Sequence, residues 1–169
     1  MGRRHKTSQA RLEYLRAKIA ELKANDTESA RRSLMRLSKE AEKVAANIET
    51  GRKSQETGKA RENLVVSALQ EDGYKYVPEW LKFARLATHN EDSKGIDIVV
   101  DSDVGKIYLQ VKGSSAHQIQ FEASHKRKVE IMPVIIVDLR EIVSEVRSNA
   151  LNLITPLRQR FLEKRGKTL

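Results

Sequence analysis

The chain has no cysteine among its 169 residues, only three prolines, and few aromatics, at 5%. Without thiols there is no disulfide, no thiolate nucleophile and no cysteine-ligated zinc. The four histidines, His5, His89, His117 and His125, show no ligand spacing of the H-E-x-x-H kind. His89-Asn90 alone is too little for a His-Asn-His nuclease, and Gly58-Lys59 lacks the upstream glycine of a phosphate-cradling loop. Long apolar runs are also missing. The apolar run at Met132 to Val137 falls far short of the roughly 20 residues a membrane span needs, and the amino-terminal stretch is charged, without the apolar centre of a secretory signal. The expectation is a soluble, cytoplasmic protein.

What is present in excess is positive charge, distributed unevenly. The net charge is +9, from 32 Lys and Arg against 23 Asp and Glu. Residues 1–60 hold 15 basic against 8 acidic residues, a net +7, and the remainder holds 17 against 15, a net +2. Basic surfaces attract polyanions and release counterions on binding, so a nucleic-acid partner is expected chiefly on the first third of the chain. That segment is also helical in pattern. Leu12, Leu15, Ile19 and Leu22 follow 3-4-3 spacing, and Leu34, Leu37, Ala41, Val44 and Ile48 follow 3-4-3-4 spacing. The phase breaks near Asn25-Asp26-Thr27, where Asp26 or Thr27 can cap a new helix. A helical hairpin or coiled-coil arm over 1–50 follows, with Gly51 closing it and a polar linker at 51–57. Each stripe is narrow and needs a partner, so a homodimer through residues 8–50 is one expectation.

Residues 95–115, GIDIVVDSDVGKIYLQVKGSS, carry the chemistry. They read as two strands around a turn, with polar residues set where a core belongs. Asp97 interrupts Ile96, Ile98, Val99 and Val100; Gln110 and Lys112 interrupt Ile107, Leu109 and Val111. Strand side chains alternate, so Gln110 and Lys112 share a face. An acid, an amide oxygen and an ammonium on one face could hold a divalent cation and a phosphate. Register decides whether they meet. A four-residue loop at 102–105 sets Asp97 opposite Gln110, and a two-residue loop at 104–105 sets it opposite Lys112. A three-residue loop at 103–105 sets it opposite Val111 and scatters the site. Upstream, residues 59–72 suit a helix, with Gly73 as its terminal cap. On it Glu62 stands on the side of Val65, Val66 and Leu69, where a carboxylate needs a partner or a metal.

Gly58-x-x-x-Glu62 on a helix, Gly95-x-Asp97 opening a strand and Gln110-x-Lys112 on the next resemble the PD-(D/E)XK phosphodiesterase superfamily, in the archaeal Holliday-junction-resolvase-like branch of the restriction-endonuclease-like enzymes. The resemblance spans roughly 58–138. It implies an α/β domain over 58–169 with a restriction-endonuclease-like mixed sheet flanked by helices, a divalent metal, and phosphodiester cleavage. Asp97 matches the aspartate, Lys112 the lysine and Glu62 the helix glutamate. Gln110 stands where most members carry Asp or Glu, the Gln variant of the motif, and no proline precedes Asp97.

Mg²⁺ favours about six oxygen ligands in octahedral array. Asp97, Glu62, the amide oxygen of Gln110 and the backbone carbonyl of Val111 are the candidate ligands, with Mn²⁺ able to substitute. Gln110 brings a dipole without charge, which raises the demand on Glu62. Lys112 is suited to orient the attacking water or to neutralise charge on the phosphate. The expected activity is a metal-dependent endonuclease acting on DNA. The alternatives are a nuclease of the same chemistry on RNA, such as transfer RNA, and a catalytically inactive nucleic-acid-binding module.

Beyond the hairpin, residues 116–123 alternate enough for a strand, although a helix fits too. Ser124 caps a short basic helix at 125–130, 132–137 forms a buried strand, and 140–153 a helix. Thr155-Pro156 opens a last helix whose Arg158, Arg160, Lys164 and Arg165 could meet phosphates, with surface solubility the simpler role. Tyr74, Tyr76 and Trp80 could stack on bases, and core packing accounts for them more simply. Because the charge sits at the amino-terminal end, deleting residues 1–50 should weaken nucleic-acid binding and flatten its dependence on salt. Titrations at several salt concentrations check this, and an unchanged slope would show that the arm does not touch the ligand.

Overall fold

The structure, a computed structural model, describes residues 2–24, 27–70, 77–124 and 132–166. The chain forms two compact units, Met1–Glu56 and Thr57–Leu169. In the first, helix α1 (Gly2–Lys23) is followed by the start of α2 (Glu28–Gln70). Leu12 and Leu15 are buried, as is Ala30, and an Arg11–Glu40 ion pair at 2.5 Å ties the two helices together. Thr27 caps α2, its Oγ1 accepting the Ala30 N–H at 3.2 Å. Leu34, Leu37, Ala41, Val44 and Ile48 are only half-buried, as two narrow stripes facing each other would leave them.

The expected linker at 51–57 contains the division between the two units, Glu56/Thr57, but the helix does not end at Gly51. These residues are helical and lie within α2. Arg52 bridges Glu49 at 2.8 Å and Glu56 at 2.7 Å, so charge pairs one turn apart span the Gly51 position. Glycine costs about 1 kcal/mol in a helix interior relative to alanine. The Arg, Lys, Gln and Glu residues between Gly51 and Gly58 are good helix formers that outweigh it.

The second unit contains a four-stranded sheet in the order β1-β2-β3-β4. Strand β2 (Ile98–Ser102) pairs antiparallel with both β1 (Leu81–Leu86) and β3 (Gly105–Lys112). Between β1 and β2 lies the short helix α3 (His89–Asp92). β4 (Val134–Ile136) pairs with β3 in parallel. A parallel return needs a crossover, which α4 (Ser115–Ser124) supplies. This settles the open reading of 116–123 in favour of helix, with Ser114 Oγ accepting the His117 N–H at 3.4 Å. The expected cap at Gly73, the aromatics Tyr74 and Tyr76, and the basic helix at 125–130 lie outside the described residues.

One face of the sheet buries Ile98, Val100, Ile107, Leu109 and Val111 against Val65, Ala68 and Leu69 of α2 and Val146, Ala150 and Ile154 of α5 (Val143–Gly166). The other face gathers Ile96, Val99 and Met132, with Tyr108 and Phe121 packed against them. Trp80 packs at the margin of the first face, with the Arg158 guanidinium over its ring at 5.2 Å. Arg147, 5% exposed, donates Nε–H to the Ala68 carbonyl at 2.6 Å near the end of α2, where a cation meets the negative pole of the helix.

A second correction concerns Thr155-Pro156, which does not begin a new helix. α5 runs through Pro156 to Gly166. Proline costs about 3 kcal/mol inside a helix. Burying Ile154 and Leu157 stabilises by roughly 1.5–3 kcal/mol each, so the continuous apolar stripe prevails. Arg158 and Arg165 are engaged within the unit rather than left for phosphates. Arg158 Nε donates to Asp103 at 2.8 Å, and Arg165 Nη2 to the Val104 carbonyl at 2.8 Å. Both grip the β2–β3 turn.

That turn fixes the register. Ser102 pairs with Gly105, Asp101 with Lys106 and Ile98 with Leu109, the phase that carries Asp97 to Gln110. Gly105 has φ of 106°, a conformation L-residues rarely adopt, and Ser102 Oγ donates to the Gly105 carbonyl at 2.7 Å. Leu109→Ala should cost about 2–5 kcal/mol in urea unfolding, whereas Phe83→Ala, on the exposed side of β1, should change stability by no more than about 0.5 kcal/mol. Equal effects would misplace the core.

Candidate active site at the end of the hairpin

Asp97 sits where the β2–β3 ladder stops. Its N–H donates to the Leu109 carbonyl at 3.0 Å, and its own carbonyl accepts the Ala87 N–H at 2.8 Å. Its side chain then takes over from the backbone. Oδ2 accepts the Val111 N–H at 2.7 Å and the Gln110 Nε2 amide. The carboxylate thus forms the next rung of the sheet. On the far side of β3, the Gln110 N–H donates to the Pro133 carbonyl at 3.1 Å, and the Lys112 carbonyl accepts the Val137 N–H at 2.9 Å. Backbone groups alternate sides along a strand, so the Val111 carbonyl is directed to the Asp97 side.

Gln110 is 4% exposed, and its Oε1 is buried with no hydrogen-bond partner among the described residues. A buried amide oxygen without a partner costs about 1–3 kcal/mol. The oxygen lies against Gly95, where an added Cβ would stand 3.5 Å from it and 3.8 Å from the Phe121 ring. Gly95 itself has φ of 80°, which lets the chain turn out of α3 towards Asp97. Lys112, two residues beyond Gln110, places its ammonium over the Phe121 ring at 5.3 Å. The three hairpin groups named from sequence are therefore on one side of the sheet.

Glu62 completes the set through its field. Burial pushes its carboxyl up to about 7, and the negative charges of Asp97 and then Asp92 push the same way, against Lys59 and Lys112. Asp97 is raised as well, by burial first, with the Val111 N–H and Lys112 opposing and Asp92 adding to the rise. Glu62, Asp92, Asp97 and Lys112 thus share one electrostatic neighbourhood. Two acids whose ionised forms repel in a half-buried place need a cation or a proton.

Asp92 went unnoticed in the sequence. It ends α3, which is held in place by Glu91: Arg85 donates twice to that carboxylate, each bond 2.8 Å, and the Thr88 N–H donates at 2.7 Å. The spacing Thr88-x-x-Glu91 is a capping-box signature, which marks a helix start in sequence. It does not say that the charge of Asp92 would be felt at Asp97. Phe121 was hidden by the undecided reading of 116–123.

Among the described residues, no group of three or more His, Cys, Asp or Glu side chains is arranged to hold a metal ion. The candidate donor set is of another kind: two carboxylates, one amide and one backbone carbonyl. The orphaned Gln110 oxygen is what fits it to a hard cation. A half-turn of the terminal amide exchanges Oε1 for Nε2 and directs an oxygen at the place where Asp97 already presents one. In the structure the amide N–H, a dipole without charge, donates a hydrogen bond to Asp97 instead.

No protein-family model, curated protein or solved structure matches the chain.

The raised Glu62 carboxyl has a consequence for stability. The folded state binds the Glu62 proton more tightly than the unfolded state, whose carboxyl titrates near the ordinary 4.5. Stability is therefore lost as pH rises from about 4.5 through about 7, and the full cost is present above that. Glu62→Gln removes the titration. Its stability relative to wild type should rise across that window and level off above it, in urea unfolding without divalent ions. A difference independent of pH would place Glu62 in open water.

Proposed function

We propose that the protein is a Mg²⁺-dependent endonuclease that hydrolyses phosphodiester bonds in DNA, of the restriction-endonuclease-like kind. The observation that carries this reading is the Asp97 carboxylate resting on Gln110 and the Val111 N–H, beside Lys112. Element order supports it. A helix bearing Glu62 leads into three antiparallel strands, a crossover helix and a fourth strand parallel to the third. A mixed sheet flanked by helices is what the resemblance implies.

Asp97, Glu62, the Gln110 amide oxygen and the Val111 carbonyl would hold the cation. Bound there, Mg²⁺ supplies charge stabilisation on the phosphoryl oxygens and a more acidic water. Phe121 keeps the Lys112 ammonium close to the site and away from solvent on one side, so its charge acts with less screening. Lys112 orients the attacking water or balances the charge that develops on the phosphate. Glu62 is a carboxylate kept partly protonated near neutrality, and a cation at the site favours its ionised form. The excess positive charge of residues 1–60 gathers the polyanion, and pairing of two chains through residues 8–50 would present two sites to two strands.

The test is cleavage of plasmid, branched DNA and transfer RNA, with and without Mg²⁺ or Mn²⁺. Lys112→Ala should lower the cleavage rate by at least about 10²-fold, while DNA affinity measured in Ca²⁺ stays within about 3-fold. Equal loss of both would contradict the assignment, and cleavage of transfer RNA alone would redirect the substrate.

A further inference from the structure

Arg61, next to Glu62 on α2, has a seat built for it. Its Nε donates to the Val137 carbonyl at 3.0 Å, which fixes the guanidinium plane at the end of β4. The fork lies flat over Gly113. A Cβ placed on Gly113 would stand 2.5 Å from Arg61 Cζ and 2.8 Å from each of its two terminal nitrogens. Gly113 is not one of the glycines in the left-handed region, which among the described residues are Gly95 and Gly105. Its backbone conformation does not call for glycine. The overlying guanidinium fills the space a side chain there would take, and would have to move aside for one.

Such a seat costs the chain a side chain at 113 and orders a long one at 61. Its result is a permanently charged fork beside the residue that follows Lys112. With Nε committed to Val137, the other four N–H donors have no hydrogen-bond acceptor among the described residues and can meet an oxyanion. The charge of Arg61 is felt by Asp138, and Asp138 is already engaged. Arg140 donates to it from its backbone N–H at 3.0 Å and from Nε at 3.0 and 3.1 Å. Among the described residues, Arg61 makes no ion pair with a carboxylate. A planar fork matches two oxygens of a phosphate, which a lysine ammonium does not.

We propose that Arg61 grips the DNA backbone at a phosphate beside the one cleaved, as a positioning residue held by Gly113 and the Val137 carbonyl. This rests on the nuclease reading for its substrate. Binding is separable from cleavage, however, so the two can fail independently. Lys112 acts on the bond that breaks, and Arg61 fixes where along the strand that bond lies.

The experiment uses the full chain and a fluorescent DNA duplex in Ca²⁺, across a range of salt. Arg61→Gln should weaken binding about 10-fold, the worth of one charge-assisted contact, and should reduce the slope of log affinity against log salt by about 1. Gly113→Ala, which leaves the arginine in the chain but displaces its fork, should weaken binding in the same direction. Arg61→Lys should recover the salt slope without recovering the affinity. In Mg²⁺, Arg61→Gln should raise KM more than it lowers kcat. Unchanged affinity and slope in Arg61→Gln, with a lowered melting temperature, would make Arg61 a brace between α2 and β4 and overturn the proposal. If wild type binds in this way but never cuts, the nuclease reading fails and the phosphate grip stands.

Discussion

The second unit depends on one carboxylate doing the work of a strand. At Asp97 the backbone ladder between β2 and β3 ends, and the side chain accepts the Val111 N–H that the ladder would otherwise have left bare. Burying that N–H alone would cost about 1–3 kcal/mol. The same oxygen also receives the Gln110 amide, so the acid is locked to the face that carries Lys112. Structure and candidate chemistry therefore share a single atom, Asp97 Oδ2.

A conflict follows from that sharing. Burial raises the Asp97 and Glu62 carboxyls; the charges of Asp97 and Asp92 raise Glu62 further, and that of Asp92 adds to the rise at Asp97. The fold tolerates this because the hairpin supplies two N–H donors to Asp97, while Lys59 and Lys112 offset part of the charge. Natural chains give up stability at places where charge must be held ready. The unpaired oxygen of Gln110, in a core otherwise satisfied at this point, belongs to the same pattern.

The hairpin was legible because alternation is a strong signal. Apolar residues on both sides of Asp97, Gln110 and Lys112 announced two strands, and parity placed Gln110 and Lys112 together. Parity could not place Asp97, since a shift of one residue reverses a strand's face. The Ser102–Gly105 pairing, set by a left-handed glycine, made that choice. The readings at Gly51 and Pro156 were wrong for a common reason. Local propensity names helix breakers, but ion pairs around Gly51 and the buried stripe through Ile154 and Leu157 outweighed them. Asp92 and the Arg61 seat were illegible because each depends on distant elements meeting, which no spacing in the chain encodes.

The parallel pairing of β4 has a consequence for how the molecule assembles. Asp97, Gln110 and Lys112 belong to one short hairpin, so little chain entropy opposes their meeting, whereas β4 arrives only after a helical detour and Glu62 only when α2 docks. The floor of the site is therefore topologically local and its walls are remote. A chain caught midway through folding would hold Asp97, Gln110 and Lys112 together before Glu62 had joined them.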